Sequence, residues 1–430
     1  MTVSVTERAR RLQPDSMVLV DIIARHAEDT ALLWHLRDVA VRSPTYDLAA
    51  LSKLDDRVDA HLDGLRIADD VGWERCKAAL ADPGAGEVFA ATVLAIERAD
   101  VEALAEVLAH GTRSLVLARG VVSALGWVPL VQVKRYLEEL LADDAPAALH
   151  GFGIAGAGVH RYDPGPRLED AARARDPALK ARALRTIGEL GRASLLPVLR
   201  RELDSDDEAC RFWAAWAAAL LGEPAASDVL WGLARAGGRF AERAFSMSIR
   251  IVDPLVARAR VQEIAGTAEN IRVALAGAAA LGDPALLAWV NDCMAIPEQA
   301  RFAGWAFTMI TGADLVVQKL SSLPPQGFRS GPTDNPGDSS VAPDLDEGLP
   351  WPHVAAVEAW WDHRGAELPH GVRHLLGKPM APGWMTQILR FGAQPARAAA
   401  AVELSLRKPG RALIELRAPG FRQAQLLSEM

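Results

Sequence analysis

The chain has 430 residues, of which 50% are hydrophobic and only 6% aromatic, and its formal net charge is −8 at pH 7. This length suits one elongated repeat array or about two to three compact domains. Alanine and leucine carry much of the apolar content, which favours helices over strands. The acidic balance weighs against nucleic acid as a partner, because a dedicated nucleic-acid binder usually carries a basic domain or stripe.

Neither the cysteines nor the N-terminus indicates an exported or membrane protein. Cys76, Cys210 and Cys293 are far apart, and no C-x-x-C occurs, so we predict no disulfide framework, no zinc module and a reducing compartment. Asp21 and Arg25 interrupt the apolar stretch SMVLVDIIARHA too soon for a signal peptide or a membrane span. We therefore expect a soluble cytoplasmic protein without a membrane partner.

Residues 1–84 are predicted to form an N-terminal helical cap. One helix runs through Arg42, SPTYD makes a turn, and a second helix follows with leucine and valine at helical spacing. His61 lies among those apolar positions, so we interpret it as a packed or capping residue rather than a metal ligand. The same interpretation applies to His26 and His35, whose spacing does not match a metal pair on one helical face.

A repeat organises residues 85–320. Four similar blocks begin at Ala178, Ala209, Phe240 and Ile271, each 31 positions after the previous one. Each block is a helical pattern rich in small residues, followed by a turn and a second apolar-periodic stretch. The turn often pairs an acidic residue with proline, which suits the first turn of a helix. This period predicts an all-α fold, a HEAT-like α-solenoid of helix pairs.

A literal G-x-G-x-x-G occurs at Gly151, Gly153 and Gly156, and Asp170 follows where a ribose-binding acid would lie. A dinucleotide site needs a strand directly before the glycines, whereas VQVKRYLEELLADDAP has the pattern of a charged amphipathic helix. The repeat period also places the glycines in the first helix of a repeat. We therefore predict no cofactor, and the absence of G-x-S-x-G, H-E-x-x-H and G-K-[ST] leaves no catalytic residue to assign.

The C-terminal part is predicted as a flexible acidic linker, 321–349, followed by a small, mostly helical module, 350–430. Proline, glycine, serine and aspartate dominate the linker, and Arg329 is its one basic residue. In the module, RALIELRAPGF is a candidate strand, because Ile414 and Leu416 alternate with charged residues.

The same module contains His363, His370 and His374 within a short stretch. Imidazoles four residues apart share a metal only when a helix holds them on one face, and Pro369 and Gly371 disturb a helix here. We therefore predict no metal site.

The second helices of the repeats carry arginine and tryptophan at matching places: Arg200, Trp231, Arg260 and Trp289. These residue types are enriched in binding hot spots, so we predict that they line a partner-binding groove. The alternative is that the tryptophans fill gaps between repeats and the arginines are solvated. The first hypothesis is thus a non-catalytic protein-interaction scaffold or adaptor. The alternatives are a helical-repeat enzyme, such as a DNA glycosylase-like or lyase-like protein, and an immunity or chaperone factor.

Three blocks of the chain together resemble a known family: RHAEDTALLWHLRDVAVRSPTYDLAALSKLDDRVDAHLDGLRIA, LPWPHVAAVEAWWDHR, and HLLGKP with the following GWMTQILRFGAQPARAAAAVELSLRKPGRALIELRAPGFRQ. It is a family of uncharacterised proteobacterial helical-repeat proteins, often encoded among type VI secretion genes near spike-tip proteins and their adaptors. The resemblance covers nearly the whole chain and implies a protein partner, a secretion component or an effector. It implies no catalytic residue. Arg25 stands where the family is expected to have glutamine.

Overall fold

The computed structural model describes residues 19–332, 335, 337 and 342–429. Contacts divide them into two compact units. Unit 1 takes residues up to 39 and 51–152, and unit 2 takes 40–50 and the residues from 153 onward. None of the described helices is both long enough and apolar enough to cross a bilayer.

Unit 1 is helical throughout its described residues. Its helices are α1 (Val20–Ala40), α2 (Leu48–Ile67), α3 (Asp70–Ala79), α4 (Ala85–Glu97), α5 (Val101–Gly111), α6 (Leu115–Trp127) and α7 (Leu130–Leu140). The next helix is α8 (Ala147–His160). The limits between the two units fall inside α1, α2 and α8. The predicted N-terminal pair of helices is confirmed by α1 and α2, and the first of them ends at Ala40.

Aromatic side chains and one buried ion pair hold unit 1 together. Phe89 is fully buried on α4 and lies between Trp34, 5.9 Å away between ring centroids, and Trp127, 5.5 Å away. Arg37 of α1 pairs with Asp55 of α2, and both side chains are buried. Since Arg37 also lies 5.3 Å from the ring of Trp127, one guanidinium joins α1, α2 and α6.

Unit 2 continues with helices in pairs. They are α9 (Pro166–Ala172), α10 (Pro177–Leu190), α11 (Leu196–Glu202), α12 (Glu208–Leu220), α13 (Ala226–Ala236), α14 (Ala241–Arg250), α15 (Pro254–Ile264), α16 (Ile271–Leu281), α17 (Leu287–Met294) and α18 (Pro297–Thr311). The helices that begin the repeats are α10, α12, α14 and α16, with α18 after them, and we call these the first helices. The helices α11, α13, α15 and α17 are the second helices.

The 31-residue period determines where the first helices begin and end. Asp176 and Asp207, 31 positions apart, cap α10 and α12, because each carboxylate accepts a backbone N–H of the first turn. Gly191 and Gly222, again 31 positions apart, follow the ends of the same helices with φ of +68° and +80°, which glycine adopts without steric cost. The prediction of an all-α fold of HEAT-like helix pairs is confirmed.

The glycine fingerprint lies inside a helix. Gly151, Gly153 and Gly156 are all part of α8, and the element before it is helix α7 rather than a strand. Helical backbone N–H groups are bonded to carbonyl oxygens one turn earlier, so these glycines cannot form a phosphate-binding loop. The prediction that they lie in a helix and not after a strand is confirmed, whereas their place in the first helix of a repeat stays a prediction.

The C-terminal residues of unit 2 add two short antiparallel strand pairs and four helices. They are β1 (Ser321–Ser322) with β2 (Trp351–Pro352), β3 (His374–Leu375) with β4 (Lys378–Pro379), α19 (Val354–Arg364), α20 (Pro382–Phe391), α21 (Gln394–Leu406) and α22 (Gly420–Ser428). Arg397 on α21 is fully buried and donates to the Leu389 carbonyl and to the side chains of Gln394 and Gln423. Its guanidinium therefore links α20, α21 and α22.

The prediction of a strand in RALIELRAPGF is wrong. Residues 411–415 have no strand partner and cross the end of α10 as an extended segment, in which Leu413 donates its N–H to the carbonyl of Glu189 and accepts a bond from Arg161. The alternation in the sequence does not follow burial, because Glu415 is buried whereas Ile414 and Leu416 are partly exposed. Asp344 and Asp346 of the predicted linker pair with Arg301 and Arg272. The division of the chain into four segments stays a prediction.

Candidate functional site

A cavity of about 660 Å³ lies within unit 2, along the first helices of the repeats. Arg185, Trp216 and Met247 line it from α10, α12 and α14 at intervals of 31 residues, and Met309 lines it from α18, two periods later. The other side consists of α21 and residues 413–417. The cavity is therefore a repeat-built surface with the C-terminal part of the chain laid over it.

Two C-terminal segments, 371–377 and 409–413, run across the ends of the first helices, and we call this contact the helix-end seam. His374 donates its backbone N–H to the Gly282 carbonyl at 2.7 Å, Leu376 to the Met309 carbonyl at 2.8 Å, and Leu413 to a carbonyl of α10 at 2.9 Å. The last carbonyls of a helix lack partners within that helix. The seam supplies these partners and so fixes the far wall of the cavity.

Glu189 lies at the base of the cavity, and its side chain is almost fully buried. Arg185 donates to its Oε1 at 2.8 Å, and Arg182 binds its Oε2. Burial alone would raise the pKa of this carboxyl, but the charges of Arg182, Arg185 and Arg161 outweigh burial and hold the pKa far below its ordinary value. Burial in turn lowers the pKa of Arg185 to about 10. The carboxylate is thus a permanent negative charge that fixes two arginines.

Two further glutamates lie on the opposite side, Glu415 in the cavity lining and Glu403 behind it. Glu415 pairs with Arg417 at 3.1 Å and with Arg161 at 3.3 Å. Glu403 of α21 pairs with Arg250 of α14 at 2.6 Å and also with Arg373 of the seam. The Glu403–Arg250 pair links α21 to α14, and the Glu415–Arg161 pair links the covering segment to the residue after α8.

Stability at low pH is expected to depend on Glu415. Burial raises its pKa, but Arg417 and Arg161 lower it to about 2, against an ordinary value of 4.5. Because the folded pKa is depressed, the stabilisation is present above about pH 4.5 and is lost as the pH falls towards about 2. In Glu415→Gln, we expect the free energy of unfolding to fall less steeply than in the wild type as the pH is lowered. Urea titration at a series of pH values measures this dependence. Glu169→Gln, in an exposed pair with Arg173, should keep the wild-type slope. An unchanged slope in Glu415→Gln would contradict the assignment.

One arginine of the lining lies outside these ion pairs. Among the described residues, Arg243 of α14 has no carboxylate oxygen within 4 Å, although it lines the cavity together with Arg42 and Arg417. Burial lowers the pKa of Arg243, and the like charges of Arg42 and Arg417 lower it further, with only Glu242 acting in the other direction. Arg42, Arg243 and Arg417 are all exposed to solvent, which screens their mutual repulsion.

Aromatic side chains flank the arginines on both sides. Trp213 and Trp216 of α12 meet edge to face with their ring centroids 5.4 Å apart, and Arg185 lies 4.7 Å from the Trp213 ring. At the other end, Phe302 and Trp305 of α18 stack at 4.8 Å. All four are only partly buried and line the cavity, so their faces are accessible to a bound group.

The four predicted groove residues lie elsewhere, on second helices, and none of them lines the cavity. The structure brings Trp231 of α13 and Arg260 of α15 together, with the guanidinium 5.0 Å from the ring centroid. Arg200 of α11 instead pairs with Glu223 at 2.5 Å. Trp289 of α17 is partly buried and makes no ring contact with the other three in the described part of the chain. Their role in binding stays a prediction.

The histidines are spread over different environments. His374 is buried at the seam, where burial lowers its pKa, while His363 and His370 are exposed. In unit 1, Nδ1 of His26 lies 3.1 Å from Nδ1 of His61, a contact that their separation of 35 positions on two helices concealed. Within the described ranges, no group of three or more histidine, cysteine or acidic residues is arranged to hold a metal ion.

Comparison with protein families places the repeat in a known class. A model of HEAT repeats matches residues 165–247, which extend from the start of α9 into α14. Comparison with curated proteins gives no match. HEAT repeats commonly serve as protein-interaction scaffolds, and this chain is an all-α protein built on such helix pairs.

Proposed function

We propose that the protein is a non-catalytic scaffold or adaptor that holds another protein on the second helices of its repeat array. The observation that carries the proposal is the contact of Trp231 with two arginines, Arg235 at 5.8 Å and Arg260 at 5.0 Å between guanidinium carbon and ring centroid. We call these three residues the second-helix patch. Tryptophan and arginine together are the types most enriched where alanine substitution weakens a protein complex.

The surroundings of the patch suit a protein partner. Leu255 and Val256 of α15 are exposed, with 68% and 47% of their surfaces accessible. Val256, Arg260 and Glu263 follow one another at helical spacing on one face of α15. Glu263 pairs with Arg235 at 3.1 Å with both side chains more than half exposed. Apolar and charged groups therefore alternate on one surface, as they do in the core and rim of an interface.

The identity of the partner rests on the family resemblance. A type VI secretion spike-tip protein or an effector is the partner that this resemblance implies, and adaptor work requires only a complementary surface. An immunity or chaperone factor would use the same surface, and the identity of the captured protein separates these roles.

The double variant Trp231→Ala with Arg260→Glu is expected to fold but to bind its partner about 30-fold more weakly, because a hot-spot pair typically contributes 2 kcal/mol or more. Binding is measured by capture of the partner on the immobilised variant, and folding by thermal unfolding and circular dichroism. Arg364→Glu reverses the charge of an exposed arginine on α19, and should bind like the wild type. Wild-type binding by the folded double variant would contradict the proposed surface.

A further inference from the structure

Two arginines near the start of α16 and α18 hold an acidic segment of the chain, residues 342–349. Arg301 of α18 donates to both carboxylate oxygens of Asp344, each at 2.8 Å, and to the backbone carbonyl of Asp346 at 3.1 Å. Arg272 of α16 lies 2.7 Å from Oδ1 of Asp346. One residue separates the two aspartates, so the arginines bind an Asp-x-Asp pattern.

Aromatic rings hold both guanidinium groups in place. Arg272 lies 3.9 Å from the ring centroid of Phe302, and Arg301 lies 4.9 Å from that of Trp351. Phe302 in turn stacks with Trp305 at 4.8 Å. An arginine that packs on a ring presents its donors in a fixed orientation, which suits the recognition of a carboxylate. We call Arg272, Arg301 and Phe302 the Asp-x-Asp site.

The segment is held at this site by little besides its two ion pairs. Among the described residues of 323–349, Asp346 is the only one that is buried. Leu345, between the two aspartates, keeps 76% of its surface exposed. A segment that buries so little apolar surface opens at a low cost in free energy. The arginines, by contrast, belong to helices of the repeat array.

The fit of the segment to the site is incomplete. Oδ1 of Asp346 is buried and, although Arg272 lies 2.7 Å away, this oxygen has no hydrogen-bond partner in the described part of the chain. A buried acceptor without a hydrogen bond is unfavourable. The strands β1 and β2 join the two ends of the loop that carries the segment, and this closure restricts how the aspartates align. A separate peptide is free of that restriction.

The segment also lies beside the cavity of unit 2. Leu345, Glu347 and Leu349 line one end of it, together with Phe302 and Trp305. A peptide that takes the place of the segment would therefore reach the cavity with the residues that follow its second aspartate.

We propose that the Asp-x-Asp site binds an acidic peptide of a partner protein, and that segment 342–349 occupies the site until such a peptide displaces it. The segment itself defines the chemistry of that peptide, which is two carboxylates one residue apart. The net charge of the chain is −8, so an acidic peptide gains no attraction from the protein as a whole. Binding of such a peptide would report on this site.

The test uses the full chain and a fluorescent peptide with the sequence of residues 342–350, APDLDEGLP. Asp344→Asn with Asp346→Asn removes both charges of the segment and keeps both arginines. Fluorescence anisotropy at low salt is expected to show about ten-fold tighter binding to this variant than to the wild type, in which the segment competes. A scrambled peptide of the same composition, without Asp-x-Asp, should bind neither protein.

A second variant and a matched control support the test. Asp346→Asn alone keeps the bidentate pair of Arg301, so it remains usable if thermal unfolding shows that the double variant does not fold. It should also bind the peptide more tightly than the wild type. Glu367→Gln removes a carboxylate from an exposed pair with Arg364, and should bind the peptide like the wild type.

The proposal is overturned if the folded variants do not saturate with the peptide at millimolar concentration, if the scrambled peptide binds as tightly, or if the wild type binds as tightly as the variants. The inference goes beyond the second-helix patch and uses other residues. The Trp231→Ala and Arg260→Glu double variant should therefore bind the peptide like the wild type, and failure of either proposal leaves the other standing.

Discussion

Glu189→Gln is expected to lower the free energy of unfolding of unit 2 by about 3 kcal/mol, at the lower end of the cost of breaking a buried ion pair. The amide keeps the shape of the side chain but removes the charge that compensates Arg182 and Arg185. Those two side chains keep 17% and 24% of their surfaces exposed, so water reduces the penalty. Urea unfolding followed by circular dichroism measures the change.

Glu169→Gln provides the comparison for that prediction, because Glu169 pairs with Arg173 in the same part of the chain with both side chains exposed. Exposed pairs contribute about 0–1 kcal/mol. Equal effects of Glu169→Gln and Glu189→Gln would show that the buried cluster at the base of the cavity stabilises the fold no more than an exposed pair does.

Gly282→Ala is expected to lower the stability by about 3 kcal/mol and to loosen the helix-end seam. Gly282 has φ of +71°, and an added Cβ would lie 2.0 Å from the backbone oxygen of His374. The left-handed conformation alone costs a non-glycine residue about 1–2 kcal/mol. The clash also breaks the bond from the His374 N–H to the Gly282 carbonyl, and a hydrogen bond contributes about 0.5–1.5 kcal/mol.

Gly222→Ala separates the two causes. Gly222 has the same left-handed backbone after α12, but its Cβ would meet only side-chain carbons of Pro409, at 3.3 and 3.5 Å. We expect a loss of about 1 kcal/mol and no loosening of the seam. Trypsin cleavage after Arg373 reports on the seam directly and should accelerate in Gly282→Ala alone. Equal cleavage rates in the two variants would mean that the seam does not depend on this close approach.

The repeat could be predicted because its signals are local. Starting positions 31 residues apart, aspartate caps and glycine ends all fall within a few residues of the helices that they delimit. The seam could not be predicted in this way. Its bonds join His374 to Gly282 and Leu413 to Glu189, residues that are far apart in sequence, and no pattern within RALIELRAPGF distinguishes a strand from an extended segment lying on a helix end.

The candidate site could be predicted only in part from the sequence, for a related reason. Arginine and tryptophan occur on first helices and on second helices, so composition and spacing predict two surfaces without ranking them. Arg185 and Trp216 face the cavity, while Trp231 and Arg260 lie on second helices outside it. Which set meets a cavity depends on where the C-terminal segments lie, and that placement is a tertiary property.

The two surfaces suggest a division of work. The C-terminal segments cover the first helices, so the cavity beneath them admits a small ligand more readily than a folded protein. The second helices lack such a cover from the seam and offer the patch around Trp231.

The central claim is that the protein works by holding another protein. Affinity capture from the cells that produce it, with wild type, the Trp231→Ala and Arg260→Glu double variant, and Arg243→Gln as parallel baits, tests it most directly. The account predicts that the wild type and Arg243→Gln each capture one protein in stoichiometric amount, and that the double variant does not capture it. Mass spectrometry is expected to identify the captured protein as a secretion component or an effector. Capture of no stoichiometric protein by the wild type, or equal capture by all three baits, would contradict the account.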